Sequence, residues 1–274
     1  MIGGVPVRDA LDSAVVAISA SGSPTARLDA ELLLAAALGV DRTALWTTDA
    51  DVAGPAVRTF RDLVRRRAVG HEPVAYLLGT KGFRWIDLAV DPRVLIPRPE
   101  TELLVEVGLE LPDGARVVDV GTGSGAIALA LKHERPDLDV LATDVSGEAL
   151  AVAQANAQRL GLDVAFARGD LLEAVDGEVG AVLSNPPYVA DGDPLPVDVA
   201  RYEPAAALYG GPDGLSVYRR LAPAARAAGA RFAAFEVGQG QAGAVADVLT
   251  AAGFASVAVI QDLAGIDRVV VATC

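Results

Sequence analysis

The sequence has one cysteine, Cys274, and two histidines, His71 and His133. A single thiol closes no internal disulfide, and so short a supply of cysteine and histidine builds no thiolate cluster, nor a zinc site without recruiting many carboxylates. No apolar run approaches the roughly 18 to 20 residues of a membrane span. Residues Ala14 to Ile18 followed by Ser19-Ala20-Ser21 imitate a short signal peptide, but Asp9 and Asp12 stand where a basic region belongs, so the stretch reads as a first amphipathic helix. Basic charge is also short: 23 Lys and Arg face 36 Asp and Glu, a net charge of −13, which argues against nonspecific gripping of duplex phosphate. What is plentiful is apolar surface, 52% of 274 residues against 22% charged, which excludes a disordered chain and predicts a large buried core. The expectation is a cytoplasmic, metal-free protein of one large or two modest domains.

Residues 1 to about 78 read as helices. Ser23-Pro24 offers an N-cap and a first-turn proline, and Leu28, Leu32, Leu33 and Ala36 recur at helical spacing until Gly39. A further helix from about Ala56 to Ala68 carries Arg58, Arg61, Arg65, Arg66 and Arg67, either a solvated face or a docking patch for an acidic or RNA-associated partner. Residues 1–80 hold 8 basic and 9 acidic side chains and residues 81–274 hold 15 and 27, so the acidity lies in the larger part.

Phe83, Trp85, Ile86, Leu88 and Val90 alternate over much of Lys81 to Pro92, between Gly82 and Asp91-Pro92, and predict a linking β-hairpin. From Arg116 the rhythm becomes strand, helix, strand. Strands are predicted at Arg116–Val120, Val140–Thr143, Val164–Ala167, Ala181–Ser184, Arg231–Phe235, Ala255–Ile260 and Arg268–Ala272. The last two are too close for a helical crossover and should be antiparallel. The fold class is therefore α/β: a seven-stranded, mostly parallel Rossmann-like sheet with its last strand reversed, which resembles the sheet of nucleoside-binding methyltransferases. A helical domain over 1–78, a hairpin linker over 79–97 and a catalytic domain over 98–274 complete the predicted organisation.

Gly121, Gly123 and Gly125 alternate with Thr122 and Ser124 directly after a strand and before the helix Ile127 to His133. Glycine suits such a loop because the turn needs unusual backbone angles and a side chain would push a ligand off the helix N-terminus. The string also satisfies G-x-G-x-x-A, so NAD and S-adenosylmethionine both remain open at this point. Asp144, ending the second strand, can accept both ribose hydroxyls of either cofactor, since Ser146 is free to cap the helix that follows. Asp170, after the third strand, stands where an adenine amino group would be met, with Leu171 covering the ring.

Asn185-Pro186-Pro187-Tyr188 separates the two cofactors. It follows the apolar strand Ala181–Ser184, at the same sheet edge as the glycine loop and Asp144. The two prolines present Asn185 and Pro186 rigidly and offer no N–H. The Asn185 side-chain oxygen and the Pro186 carbonyl can then accept both hydrogens of a planar NH2 group, while Tyr188 supplies a flat face for stacking. Two acceptors favour a pyramidal nitrogen aimed at a sulfonium methyl, stabilising the transition state over the planar amide. A nicotinamide dehydrogenase would need an acid/base here, and neither histidine is so placed.

Pro73-Val74-Ala75-Tyr76-Leu77-Leu78-Gly79, Leu95-Ile96-Pro97-Arg98-Pro99-Glu100-Thr101-Glu102, the glycine loop, Asn185-Pro186-Pro187-Tyr188, Tyr202-Glu203-Pro204 and Gly210-Gly211-Pro212-Asp213-Gly214-Leu215 together resemble the release-factor glutamine N5-methyltransferases of the HemK type. The resemblance spans nearly the whole chain, and the Pro-Arg-Pro-Glu-Thr-Glu string ahead of the glycine loop is its specific mark. It implies S-adenosylmethionine as cofactor and, as substrate, the glutamine of the Gly-Gly-Gln loop of class 1 peptide chain release factors, held in part by the N-terminal helices. It places Arg98, Glu100 and Thr101 by the mouth of the cofactor site or in a hydrogen-bonded hinge; Leu171 replaces an aromatic found in some relatives. Glu236 and Asp267-Arg268 also match, and are read as structural. A monomer is expected, with no membrane and no sequence-specific nucleic acid as partner. The alternatives are an amino-group methyltransferase acting on a ribosomal-protein glutamine or a nucleic-acid adenine or guanine, a noncatalytic cofactor sensor, and a nicotinamide oxidoreductase.

Overall fold

The computed structural model describes residues 4–46 and 51–274. The chain divides into two compact units, the first running to Gly79 and joined by Leu195–Tyr202, the second comprising Thr80–Pro194 and Glu203–Cys274.

In the first unit, β1 (Val5–Pro6) pairs antiparallel with β2 (Asp51–Val52), and the stretch to Gly79 forms α1 (Val7–Ala20), α2 (Ala26–Leu38), α3 (Pro55–Gly70) and α4 (Val74–Leu78). Val7, Leu11, Ala14 and Ile18 recur at three- and four-residue intervals along α1 and are all buried, joined by Leu33 and Leu34 of α2 and Phe60 and Leu63 of α3. Helix α2 ends where Gly39 takes φ 67°, but it begins at Ala26 rather than at a Ser23 cap. The Ser23 hydroxyl is drawn away: it donates to Asp29 at 2.9 Å, as does Thr25 at 2.9 Å. The arginines of α3 do not form one face. Arg58, Arg61 and Arg65 are exposed and Arg66 pairs with Glu72, whereas Arg67 is buried, with Nε on Asp29 at 2.8 Å and Nη1 on Asp198 at 3.3 Å.

The second unit opens with the hairpin β3 (Thr80–Phe83) and β4 (Ile86–Ala89), whose Phe83, Ile86 and Leu88 are buried. Trp85 sits in its turn, 76% exposed, and so drops out of the alternation. Then follow α5 (Glu102–Leu109), β5 (Arg116–Val120), α6 (Ala126–Glu134), β6 (Asp139–Asp144), α7 (Gly147–Leu160), β7 (Ala165–Arg168), β8 (Ala181–Ser184), α8 (Val197–Tyr202, in the first unit), α9 (Ser216–Ala227), β9 (Phe232–Glu236), α10 (Ala242–Ala251), β10 (Ser256–Gln261) and β11 (Asp267–Thr273). The sheet is seven-stranded in the order β10-β11-β9-β8-β5-β6-β7. β11 inserts between β9 and β10 and runs antiparallel to both; the pairs from β9 to β7 are parallel. Val117, Val118, Val140, Ala142, Ala181, Val182 and Leu183 are essentially inaccessible, as strands covered on both faces require. From β5 the chain winds outward through β6 and β7, then returns to place β8 on the other side of β5. That reversal makes the carboxyl ends of β5 and β8 the topological switch point, where open α/β sheets hold ligands.

Candidate active site

The glycine loop leaves β5 at this switch point. Gly121, Gly123 and Gly125 take φ 74°, 56° and 87°, left-handed values that only glycine adopts cheaply. The Gly121 and Thr122 amides both donate to the Thr143 carbonyl, at 2.9 and 3.0 Å. Inside the turn, the Thr122 hydroxyl donates to Asp119 at 2.7 Å, and Asp119 also receives the Ala128 amide of α6. The roles of the glycines differ: a Cβ on Gly125 would lie 2.8 Å from Leu129, whereas Gly121 and Gly123 face open space and border a cavity. Gly125 therefore serves close helix packing. Asn156, fully buried on α7, braces the loop from behind by donating to the carbonyls of Ser124 and Ala89, both at 3.0 Å, which ties the hairpin to it.

The cavity has a volume of about 430 Å³, within the range of small-molecule and cofactor sites. Gly121, Gly123, Asp144, Asp170, Leu171, Asn185, Pro186 and Pro187, named from the sequence, all line it. Thr122 and Ser124 are buried inside the loop. Neither they nor Gly125 and Tyr188 are among its lining residues. Tyr188 packs instead against the sheet's core, its carbonyl receiving the Gln241 side chain at 2.9 Å. Burial holds its phenol above the usual range, so it stays protonated at neutral pH.

Asp144 accepts the Gly123 amide at 3.0 Å on one oxygen and the Ser146 amide at 2.9 Å on the other. Ser146 itself caps α7 through the Ala149 amide. Burial raises the Asp144 pKa above the ordinary carboxylate range, against the pull of those amides. Each of its oxygens keeps acceptor capacity for a hydroxyl. At the far wall Asp170 forms an ion pair with Arg220, and Leu171 holds a left-handed φ of 55° while its carbonyl receives the Thr143 hydroxyl at 3.1 Å.

After β8, the Asn185 amide nitrogen donates to the Thr101 hydroxyl at 3.1 Å. Thr101 is 4% exposed. Glu236, read from the sequence as structural, ends β9 at 2% exposure, and burial pushes its pKa up to about 7. The Arg98 part of the same segment is fixed separately: Glu203 pairs with its guanidinium and receives the Ile96 amide at 3.1 Å. An acid ending an apolar parallel strand, as Asp144 and Glu236 both do, was the available signal for Glu236.

This sheet gathers Gly121, Asp144 and Asn185 around one cavity at its switch point. Two family models match the chain: the Methyltransferase small domain over residues 99–201 and the PrmC N-terminal domain over residues 9–79. A release factor glutamine methyltransferase of Xylella fastidiosa strain 9a5c is 45% identical, covering 96% of this chain and 99% of that protein. One from Geobacter sulfurreducens is 42% identical over 96% of this chain and 95% of its own length. The chain belongs to the release factor glutamine methyltransferase family. A solved methyltransferase from Pyrococcus furiosus, 18% identical, shares the fold with a TM-score of 0.52 over 80% of this chain and 98% of that one.

Proposed function

We propose that this protein transfers the methyl group of S-adenosylmethionine to the side-chain amide nitrogen of the glutamine in the Gly-Gly-Gln loop of class 1 peptide chain release factors. The observation that carries the reading is the Asn185 amide, which lines the cavity and donates from its nitrogen to Thr101, leaving its oxygen as an acceptor. Membership of the family supports the substrate.

The residues present fit the cofactor. The two left-handed glycines leave the loop without side chains where it borders the cavity, and Asp144 retains acceptors for ribose hydroxyls. Asp170 and Leu171 line the wall suited to adenine. When bound, S-adenosylmethionine supplies an electrophilic methyl group on a sulfonium. The chain's own contribution is to orient the nucleophile. Asn185 Oδ1 and the Pro186 carbonyl accept the two hydrogens of the substrate amide, drawing its nitrogen out of conjugation; the prolines lock that geometry before substrate arrives. After transfer the nitrogen is strongly acidic and loses its proton without a dedicated base. Tyr188 remains a protonated ring that backs the loop from the core.

The test is incubation of the purified protein with labelled S-adenosylmethionine and, separately, release factor, DNA and RNA. Label is expected on the release factor alone and absent when its Gly-Gly-Gln glutamine is changed to alanine. Undiminished labelling of that variant, or label on nucleic acid only, would refute the substrate.

A further inference from the structure

We propose that Gln241 is a positioning residue for the methyl transfer: it clamps the far end of the Asn185–Tyr188 loop and so fixes the aim of the Pro186 carbonyl. The inference deepens the function proposed above and rests on it. Gln241 stands at the start of α10 with both ends of its side-chain amide engaged. Its nitrogen donates to the Tyr188 carbonyl at 2.9 Å, and its oxygen receives the Gly238 amide at 3.0 Å. A backbone carbonyl only accepts and a backbone N–H only donates, so these two bonds admit one orientation of the amide and require a side chain that does both. Gln241 is not among the residues lining the cavity, so its influence passes through the loop.

The need for a clamp follows from the backbone. The rings of Pro186 and Pro187 lock φ, so the direction of the Pro186 carbonyl turns mainly on its own ψ, and that angle is fixed only when the chain is held on both sides. Neither proline has an N–H by which to hold the middle. On the near side the Ser184 hydroxyl donates to the Val120 carbonyl at 2.7 Å, and the Asn185 amide donates to Thr101 at 3.1 Å. On the far side Gln241 takes Tyr188, and a short parallel bridge follows: the Val189 amide donates to Leu208 at 2.9 Å, the Gly210 amide to Val189 at 2.8 Å and the Asp191 amide to Gly211 at 2.9 Å.

That bridge lays the Gly210-Gly211-Pro212-Asp213-Gly214-Leu215 string against the back of the loop. A Cβ on Gly210 would collide with the carbonyl oxygens of Pro187 and Gly214, and one on Gly214 with the carbonyl of Tyr188, so close approach of backbone to backbone demands glycine at both places. The carbonyls of the loop are thereby sorted. Pro187 lies against Gly210 and Tyr188 is taken by Gln241, whereas no described residue donates to the Pro186 carbonyl or to Asn185 Oδ1. The two acceptors left over are the two that the proposed reaction uses.

Single-turnover methylation of release factor at saturating cofactor tests this. Gln241→Leu should lower the rate roughly 10- to 100-fold, the scale of a small misplacement of a reacting group, while KM for release factor and Kd for S-adenosylhomocysteine change little. Gln241→Glu, which still accepts from Gly238 but sets an oxygen against the Tyr188 carbonyl at neutral pH, should be no faster than Gln241→Leu. In an Asn185→Ala background Gln241→Leu should cost much less than it does alone, because the two acceptors act on the substrate amide as a unit. Gly243→Ala, on the same helix with open space before its Cβ, should leave the rate unchanged. A crystal structure of Gln241→Leu should show the peptide after Pro186 turned or spread over several orientations. A folded, product-binding Gln241→Leu or Gln241→Glu with undiminished rate, an additive loss in the double variant, an equal loss in Gly243→Ala, or an unmoved and ordered loop would each overturn the proposal. Should Gln241→Leu fail to fold, Gln241→Glu and Gly210→Ala, which forces the Pro187 backbone to shift, decide by the same split between rate and affinity. Failure of the wild type to label release factor would refute the proposed function itself, and the crystal structure of the variant would still judge the clamp.

Discussion

Asp29 in the first unit and Glu236 in the second are both buried carboxyl groups, 5% and 2% exposed, yet their surroundings are opposite. Asp29 receives the Arg67 guanidinium and the hydroxyls of Ser23 and Thr25, while Arg67 spreads its remaining donors over Ser23 and Asp198. The Oε2 of Glu236, by contrast, has no hydrogen-bond partner among the described residues. Asp119, just before the glycine loop, shares that condition: Oδ1 lacks a partner and burial raises its pKa to about 7. A buried charge with every acceptor used holds a fold together. A buried acid left partly unsatisfied costs stability, and such costs concentrate where a site needs them.

Removing a partner breaks the comparison most directly. Arg67→Ala should cost about 3 to 5 kcal/mol by leaving Asp29 buried and unpaired, measured by urea denaturation at neutral pH; a loss near the size of a surface ion pair would place Arg67 among the solvated arginines after all. Glu236→Gln should act in the opposite direction. The folded protein holds the Glu236 proton up to about pH 7 whereas the unfolded chain releases it near the ordinary value, so stability falls as pH rises through that window. The substitution should leave melting unchanged at about pH 5 and stabilise by up to about 3 kcal/mol at pH 8. Equal effects at both pH values would mean the carboxyl does not titrate as its burial implies. Asn185→Ala should separate function from stability within the same cluster: turnover falls on the order of 100-fold, about 2.7 kcal/mol, as for loss of one oriented polar group, with little change in S-adenosylhomocysteine affinity by calorimetry. Retained turnover would remove Asn185 from the chemistry. The smallest effect is Ser146→Ala, about 1 kcal/mol from loss of the α7 cap, readable as a small drop in melting temperature; a loss of several kcal/mol would show that the cap also supports the Asp144 contact.

The strands were the most legible part of the fold. β5 and β8 begin and end at the residues the apolar runs indicate, because a strand covered on both faces needs an unbroken run and little else. Where local and distant partners compete, local reading fails. Ser23 looks like a helix cap, but Asp29 and Arg67 offer its hydroxyl a buried network, and α2 starts three residues later. Arg65, Arg66 and Arg67 are adjacent in sequence and end in an exposed, a half-buried and a buried setting, because consecutive residues on a helix point in different directions. At the site, the lining of the cavity by Gly121, Asp144 and Asn185 follows from their common place at strand ends. The packing of Tyr188 against the core cluster is not visible there, since it depends on Gln241 and Gly238 beside it.

By itself the sequence determined the sheet's strands, the left-handed glycine turn and the rigid Asn-Pro-Pro loop, because each is set by the backbone freedom or apolar run of a few consecutive residues. Only the tertiary structure decided that β11 enters between β9 and β10, that Leu195–Tyr202 joins the first unit, and that Thr101 meets Asn185. Thr101, Asn185 and Glu236 are far apart in the chain. The parallel register of β8 and β9 brings Asn185 and Glu236 side by side, and Thr101 meets Asn185 through its hydroxyl, a juxtaposition no local stretch of sequence contains.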